Sequence, residues 1–314
     1  MSRTLWIVAS LMALGGVAMA ETGLDSRFFP GLAERTDAEV RLAGLARLYP
    51  QRVLDAPPET ENPRAGQAPL VEELSRGIVY IRIYDLDTSE EAFHEHIDTV
   101  ALIIDARFLW TPVDQLRATW LWKWFGPDAP RTQWVGEGQP SPQEQSATGP
   151  RAEVVSGETP VTREPPVIFL VNGRTRGGIE AWLAALQSDG RVVAIGHPTA
   201  GATGRYRPAH SAEGYWVVTG DIRAEDGESL LGEGLMPEVR VRVSAEADAR
   251  AWERVEQGID IPAVLNLPWS EPEGSGGSTE TASRKPTLPA HDAVLQRAVD
   301  IAVARQLLGE VATP

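Results

Sequence analysis

Val167-Ile168-Phe169-Leu170-Val171-Asn172 is apolar on both faces, the pattern of a strand inside a parallel sheet that is covered on either side. Ile179 to Gln187 then takes helical periodicity, and Arg191-Val192-Val193-Ala194-Ile195-Gly196 returns to a β-branched run of strand length. A strand, a helix and a second buried strand in this order predict a parallel crossover, and so an α/β fold. Asp189-Gly190 reads as the turn between helix and strand.

Outward from this unit the alternation continues. Gly77 to Tyr84 and Thr99 to Asp105 read as strands separated by a helix capped near Thr88. Val113 to Phe125 suggests a helix carrying Trp120, Trp122 and Trp124. Tyr215 to Thr219 and Glu238 to Val243 follow as strands, and Asp292 to Leu308 closes the chain as an amphipathic helix. Thr36-Asp37-Ala38-Glu39 has the form of a capping box opening a helix that ends around Tyr49-Pro50, with Val40, Ala43 and Leu48 expected on its buried side. No internal repeat is visible.

Three stretches break the pattern. Residues 55–69 are rich in Pro, Glu and Asn and read as a linker. Residues 136–165 and 268–289, the latter with Gly274-Ser275-Gly276-Gly277-Ser278, hold too little apolar surface to offset ordering entropy and are expected to be mobile. The expected organisation is a signal peptide over 1–20, a helical segment and linker over 21–69 and a core over 70–265 with an insertion at about 136–165. A flexible linker over 266–289 and a helix over 290–314 complete it.

The 314 residues carry 29 Lys+Arg against 44 Asp+Glu, a net charge of −15, and no cysteine. The acidic balance repels phosphate backbones, which makes nucleic acid a poor partner. Without cysteine there are no disulfides, thiolate zinc sites, iron–sulfur clusters or cysteine nucleophiles. Lys123 and Lys285 are the only lysines, so a lysine base has two candidates. No cofactor is suggested.

Arg3, the apolar run from Leu5 to Val17 and Ala18-Met19-Ala20 before Glu21 form an export signal. The run is short for a span of about 20 residues, though an uncleaved anchor is the alternative. The reading is a chain exported to a bacterial periplasm or beyond, without a membrane span after Glu21.

The segment from Pro166 to Val243 resembles the catalytic half of the C-terminal processing, or tail-specific, peptidases. Val171-Asn172 followed by Arg176-Gly177-Gly178-Ile179-Glu180 matches the family's strand end and its serine-bearing helix start. Gly196-His197-Pro198-Thr199-Ala200-Gly201-Ala202 and Gly234-Leu235-Met236-Pro237-Glu238-Val239 match its next motifs in order. Gly77 to Asp105 is similar to two upstream strands, and Asp292 to Ala298 to the terminal helix. The resemblance implies a ClpP/crotonase-like spiral of β-β-α units, with an N-terminal helical segment and a C-terminal helix.

In that family a serine nucleophile is activated by a lysine desolvated in a closed site. The serine position falls on Gly177 and the lysine on Ala202, 25 residues later, which is the family's own spacing. Both partners are absent. The glycine turn that offers amides to an oxyanion is also missing from Asp105-Ala106-Arg107-Phe108-Leu109-Trp110-Thr111-Pro112. Residues 21–69 are too few for the family's PDZ module.

The resemblance therefore implies a pseudopeptidase that binds a peptide or protein partner in a groove lined by Arg176, Gly177, Gly178, Ala202 and Tyr206. An alternative is a serine-type endopeptidase with an atypical arrangement, for which His197 with Thr175, Thr199 or Thr203 supplies the residues. Another is a hydrophobic-ligand carrier on the same fold, with an apolar pocket beneath Trp120 to Phe125. Glu180 is expected to face outward in the first turn of its helix, favoured there by the helix dipole. His94-Glu95-His96 invites a metal, but two residues apart on a helix diverge by about 200°, so a solvated helix face is the expectation. The three tryptophans are expected to fill core space rather than line a binding stripe.

Overall fold

The computed structural model describes residues 37–58, 62–74, 76–96, 99–113, 125, 130–136, 167–210, 213–225, 227–265 and 291–312. The export signal, the capping Thr36, the tryptophan helix and the stretches expected to be mobile lie outside them, apart from Gly136 at the end of a strand.

The central sheet has six strands. They are β2 (Leu70–Glu73), β3 (Ile78–Arg82), β4 (Ala101–Asp105), β7 (Val167–Val171), β9 (Val192–Gly196) and β12 (Val239–Arg240), side by side in that order. All neighbours are parallel except β2, which pairs antiparallel with β3. Every residue of β3, β4, β7 and β9 is buried, so the two-sided apolar pattern of Val167 to Val171 is what the interior of a covered parallel sheet requires.

Alternate residues feed two separate cores. Val79, Ile81, Leu102, Ile104, Val167, Phe169, Val171, Val192 and Ala194 face one side. There α2 (Glu90–Glu95) contributes Phe93, and α3 (Gly178–Ser188) contributes Ile179, Trp182, Leu183 and Leu186. Trp182 is fully buried and meets Phe169 edge to face at 6.0 Å. Ile78, Tyr80, Ile103, Ile168, Leu170, Val193 and Ile195 face the other side, against α4 (Ala245–Glu256), α5 (Ile261–Val264) and the terminal α6 (Ala293–Ala312). The terminal helix packs across β4, β7 and β9 and belongs to the core.

A second sheet surrounds β11 (Trp216–Ala224), which pairs antiparallel with β1 (Val53–Leu54), β6 (Thr132–Gly136) and β10 (Gly204–Pro208). A two-stranded parallel ribbon joins β5 (Trp110–Thr111) to β8 (Arg176–Gly177).

Several expectations need correction. The first helix, α1 (Asp37–Leu48), forms where the capping pattern places it but buries no residue, and Leu48 is 72% exposed; beyond β1 it has little to pack on. The helix expected near Thr88 does start there, with Ser89 as its N-cap, and the Thr88 hydroxyl donates to the Gln67 carbonyl. The alternating run 238–243 pairs over only two residues, because it lies at the sheet edge against the end of β9. The linker-like stretch is tied down: Asn62 Nδ2 donates to the Tyr84 carbonyl, the Gly66 amide to Asp85, and Arg64 pairs with Glu256 at 2.9 Å.

Candidate functional site

The loops that leave the carboxyl ends of β4, β7 and β9 converge, as ligand-bearing loops do in open parallel α/β sheets. After β4 the chain turns tightly, with the Leu109 amide donating to the Ala106 carbonyl. Phe108 adopts φ +66° there, so a non-glycine residue holds a left-handed conformation in this turn. After β7, Asn172 organises the turn: its carbonyl accepts from the Thr175 amide and its Oδ1 from the Arg174 amide. The Arg176 amide then donates to the Leu109 carbonyl, which zips the two loops into the β5–β8 ribbon.

Gly177 ends the ribbon and caps α3 with φ +92° and ψ −150°. A Cβ at this position would stand 1.7 Å from the Thr111 carbonyl oxygen. Gly177 has no side chain with which to cap the helix, and Thr111 does that work from across the ribbon: its Oγ1 accepts from the Ile179 amide at 2.8 Å.

Glu180, expected to face outward, is fully buried. Its Oε1 accepts from the amides of Gly177 (2.9 Å) and Ala202 (2.8 Å), and its Oε2 from the Gly201 amide (2.6 Å) and the Thr199 hydroxyl (2.5 Å). The dipole argument places a carboxylate in this turn but does not set its direction. The loop amides do, because buried donors without acceptors would cost more than an inward carboxylate. Burial pushes the Glu180 carboxyl above its ordinary range, although the donors from Thr199, Ala202, Gly201 and Gly177 pull the other way. Thr199 also accepts from the Leu235 amide, which ties in the Gly234–Leu235 motif.

Among the groove candidates, Arg176, Ala202 and Tyr206 are half-buried, and Gly177 and Gly178 are buried. The Tyr206 hydroxyl donates to the Gln51 carbonyl at 2.6 Å; burial, with Asp221 and Glu180 nearby, pushes it up to about 12. The substitute catalysts are arranged otherwise than a catalytic pair would be. The Thr175 hydroxyl donates to the Ala106 carbonyl at 2.9 Å, and Thr203 donates to Asp221 at 2.5 Å. His197 Nε2 is buried with no hydrogen-bond partner among the described residues. His94 is exposed beside Glu90 at 3.7 Å, and His96 is the C-cap of α2.

Sequence reasoning missed a second polar cluster on the other side of the sheet. The buried Arg107 guanidinium contacts Asp105, Asp248 and Asp292, each at 2.8 Å. Asp292 Oδ1 also accepts from the Leu295 amide at the start of α6, and Asn172 Nδ2 donates to Asp248. Burial alone would raise Asp105; Arg107, with Arg82 and Tyr80 behind it, overcomes that and holds it below the ordinary range. An acid and an arginine two residues apart at a strand end, with Asp292 before a helix, was the available signal.

No protein-family model matches the chain, and no curated protein does. Solved structures do. Its structural neighbours are processing peptidases and related proteins. The photosystem II C-terminal processing protease is 16% identical, with a TM-score of 0.36 over 61% of this chain and 46% of that one. A candidate peptidase of Parabacteroides merdae is 12% identical, with a TM-score of 0.43 over 83% and 74%. A lipoprotein from Streptococcus agalactiae is 15% identical, with a TM-score of 0.40 over 61% and 71%.

Proposed function

We propose that this chain is an exported relative of the tail-specific peptidases that has given up hydrolysis and binds an extended peptide or protein partner at the former catalytic site. The observation that carries the reading is the backbone at Gly177: the space a nucleophilic side chain would need is occupied by the Thr111 carbonyl oxygen. The loss of the serine is thus built into the main chain and is not a side-chain deletion alone. Glu180 supports the same reading, since its carboxylate already consumes the Gly177, Gly201 and Ala202 amides. Ala202 itself offers no base at the position the resemblance gives to lysine.

The binding role draws on β10, which begins just after Ala202 and pairs only with β11 among the described residues. No described strand pairs with its other edge, and strand addition at such an edge is one way for a sheet to take an extended peptide. The ClpP/crotonase-like spiral, a core over 70–265 and release from a signal peptide over 1–20 belong to the same proposal.

The test is the purified chain from Glu21 incubated with an unfolded protein substrate and, separately, titrated with a peptide library. The expected result is no cleavage and saturable binding. Cleavage abolished by His197→Ala would overturn the reading in favour of an atypical peptidase, and absence of binding to any peptide would remove the partner role.

A further inference from the structure

Phe108 holds its left-handed conformation, φ +66°, in the turn that joins β4 to β5. Bulky side chains rarely take that region, and such outliers persist only where their surroundings leave no alternative. Both neighbours supply the constraint. The Arg107 amide and Nε donate to Asp105, and its Nη1 reaches Asp248 and Asp292. Leu109 is buried, with its amide on the Ala106 carbonyl. The reversal of the chain therefore falls on Phe108.

The Phe108 ring rests on the buried Trp252 of α4, with centroids 4.7 Å apart. Two guanidiniums grip Trp252 in turn. Arg82 lies 4.6 Å from its ring and donates to its carbonyl at 3.1 Å, and Arg64 lies 4.4 Å from its ring. Glu256 accepts from both arginines. Arg64 belongs to the segment 62–67, which Asn62 ties to Tyr84 and Gly66 to Asp85. Its side chain is 34% exposed while that of Arg82 is fully buried, so Arg64 is the end of this stack that solvent reaches. At the other end, the Leu109 carbonyl accepts from the Arg176 amide, and two residues further on the Thr111 carbonyl fills the space of a Gly177 side chain.

We propose that Phe108 is a strained latch that keeps the Gly177 site shut, and that segment 62–67 is the strap that seats the latch through Arg64 and Trp252. Phe108 is a positioning residue: it acts through the main chain of the turn and of the ribbon that follows. While its ring is seated, the cost of the left-handed backbone is offset by the aromatic contact. When Arg64 leaves Trp252 the seat loosens, and the turn relaxes away from positive φ. The Leu109 carbonyl then turns from the Arg176 amide, and the ribbon parts beside Gly177. A strained turn with one solvent-reachable support is a two-state element of the kind that binding at a distance can bias. The inference goes beyond the peptide-binding reading and does not need it, since its readouts are on the chain alone.

The experiment follows amide hydrogen exchange in the full chain from Glu21, reading the Leu109 and Arg176 amides against those of β7. Phe108→Ala and Phe108→Gly both delete the ring, but alanine keeps a Cβ that is strained at positive φ and glycine does not. In Phe108→Ala the two amides should exchange about tenfold faster than in the parent, and in Phe108→Gly they should stay near the parent rate. Equal or greater acceleration in Phe108→Gly means that ring packing alone holds the turn, and overturns the latch. No acceleration in either variant, or one shared by the β7 amides, overturns it as well. Arg64→Gln, at a solvent-reachable position, tests the strap: about threefold faster exchange is expected at the same two amides, and none of it in the Phe108→Gly background. An Arg64→Gln effect that is absent, or that persists beside Phe108→Gly, overturns the strap's part.

Discussion

The Thr111 carbonyl oxygen occupies the place of a Gly177 side chain, 1.7 Å from where its Cβ would be, and the Thr111 hydroxyl caps the helix that Gly177 begins. One residue thus fills the space of a Gly177 side chain with its main chain and stabilises that closure with its side chain. Placing a serine there is therefore more than filling a gap.

Gly177→Ser must relieve both the collision with Thr111 and a positive φ that side chains rarely adopt. Overpacking against backbone and left-handed strain together should cost roughly 2–5 kcal/mol, read as a lower midpoint in urea. The Gly177→Ser, Ala202→Lys double variant, which the family pattern nominates as a reconstruction, should gain no peptidase activity. A double variant that melts with the parent and cleaves peptides would show that the ribbon yields easily.

Glu180→Gln separates charge from hydrogen bonding. The variant keeps one acceptor oxygen but turns an amide donor toward other donors, and should lose about 1–3 kcal/mol at neutral pH. The folded-state affinity of Glu180 for protons is raised by burial. Its contribution is therefore fully present below the ordinary glutamate value and is lost as pH rises through the folded one. The melting temperature of the parent relative to Glu180→Gln should then rise as pH falls from neutral toward the carboxylate range. A flat or inverted difference would mean that the hydrogen bonds from Thr199 and the loop amides outweigh desolvation.

The central sheet was legible because Val79, Leu102, Phe169 and Val192 alternate with Ile78, Ile103, Ile168 and Val193 in runs that are apolar throughout, which only a two-sided core explains. The inward turn of Glu180 was not: its direction depends on amides of residues 201 and 202, brought to it by a second loop, and a single helix turn holds no record of that contact. The β5–β8 ribbon was missed for a similar reason, as two-residue strands leave no periodicity to detect. Strand β11 was read over Tyr215 to Thr219 but extends to Ala224, since its second half is defined by pairing with β6.

Thr111→Val removes the borrowed cap and leaves the carbonyl in place. The Ile179 amide, buried at the second position of α3, loses its acceptor, and a loss of about 1–2 kcal/mol is expected. Thr111→Ser should recover most of it. A loss for Ser with none for Val would point to packing of the threonine methyl rather than to the hydrogen bond.

Arg107→Met tests the cluster that fastens the ends of the fold together. Arg107 is the shared partner of Asp105 on β4, Asp248 on α4 and Asp292 at the start of α6. Its removal leaves three buried carboxylates facing one another, and breaking one side of a buried ion pair costs about 3–5 kcal/mol. Arg107→Lys should recover little, because a point charge on a flexible stem cannot span three acceptors as the planar fork does. The sign with pH differs from that at Glu180. In the parent, Asp105 is held below its ordinary value, so its stabilisation is present above the unfolded value and lost as pH falls through the folded one. In Arg107→Met, Asp105 keeps Arg82 at 3.4 Å but loses the arginine that offsets most of its burial, and its proton affinity rises. The gap between parent and variant should therefore narrow as pH falls toward the carboxylate range. Hydrogen exchange should show α6 opening first in the variant, since Asp292 both pairs with Arg107 and caps that helix. A gap that is constant with pH, with protection of α6 unchanged, would assign the loss to packing around the arginine stem rather than to its charge.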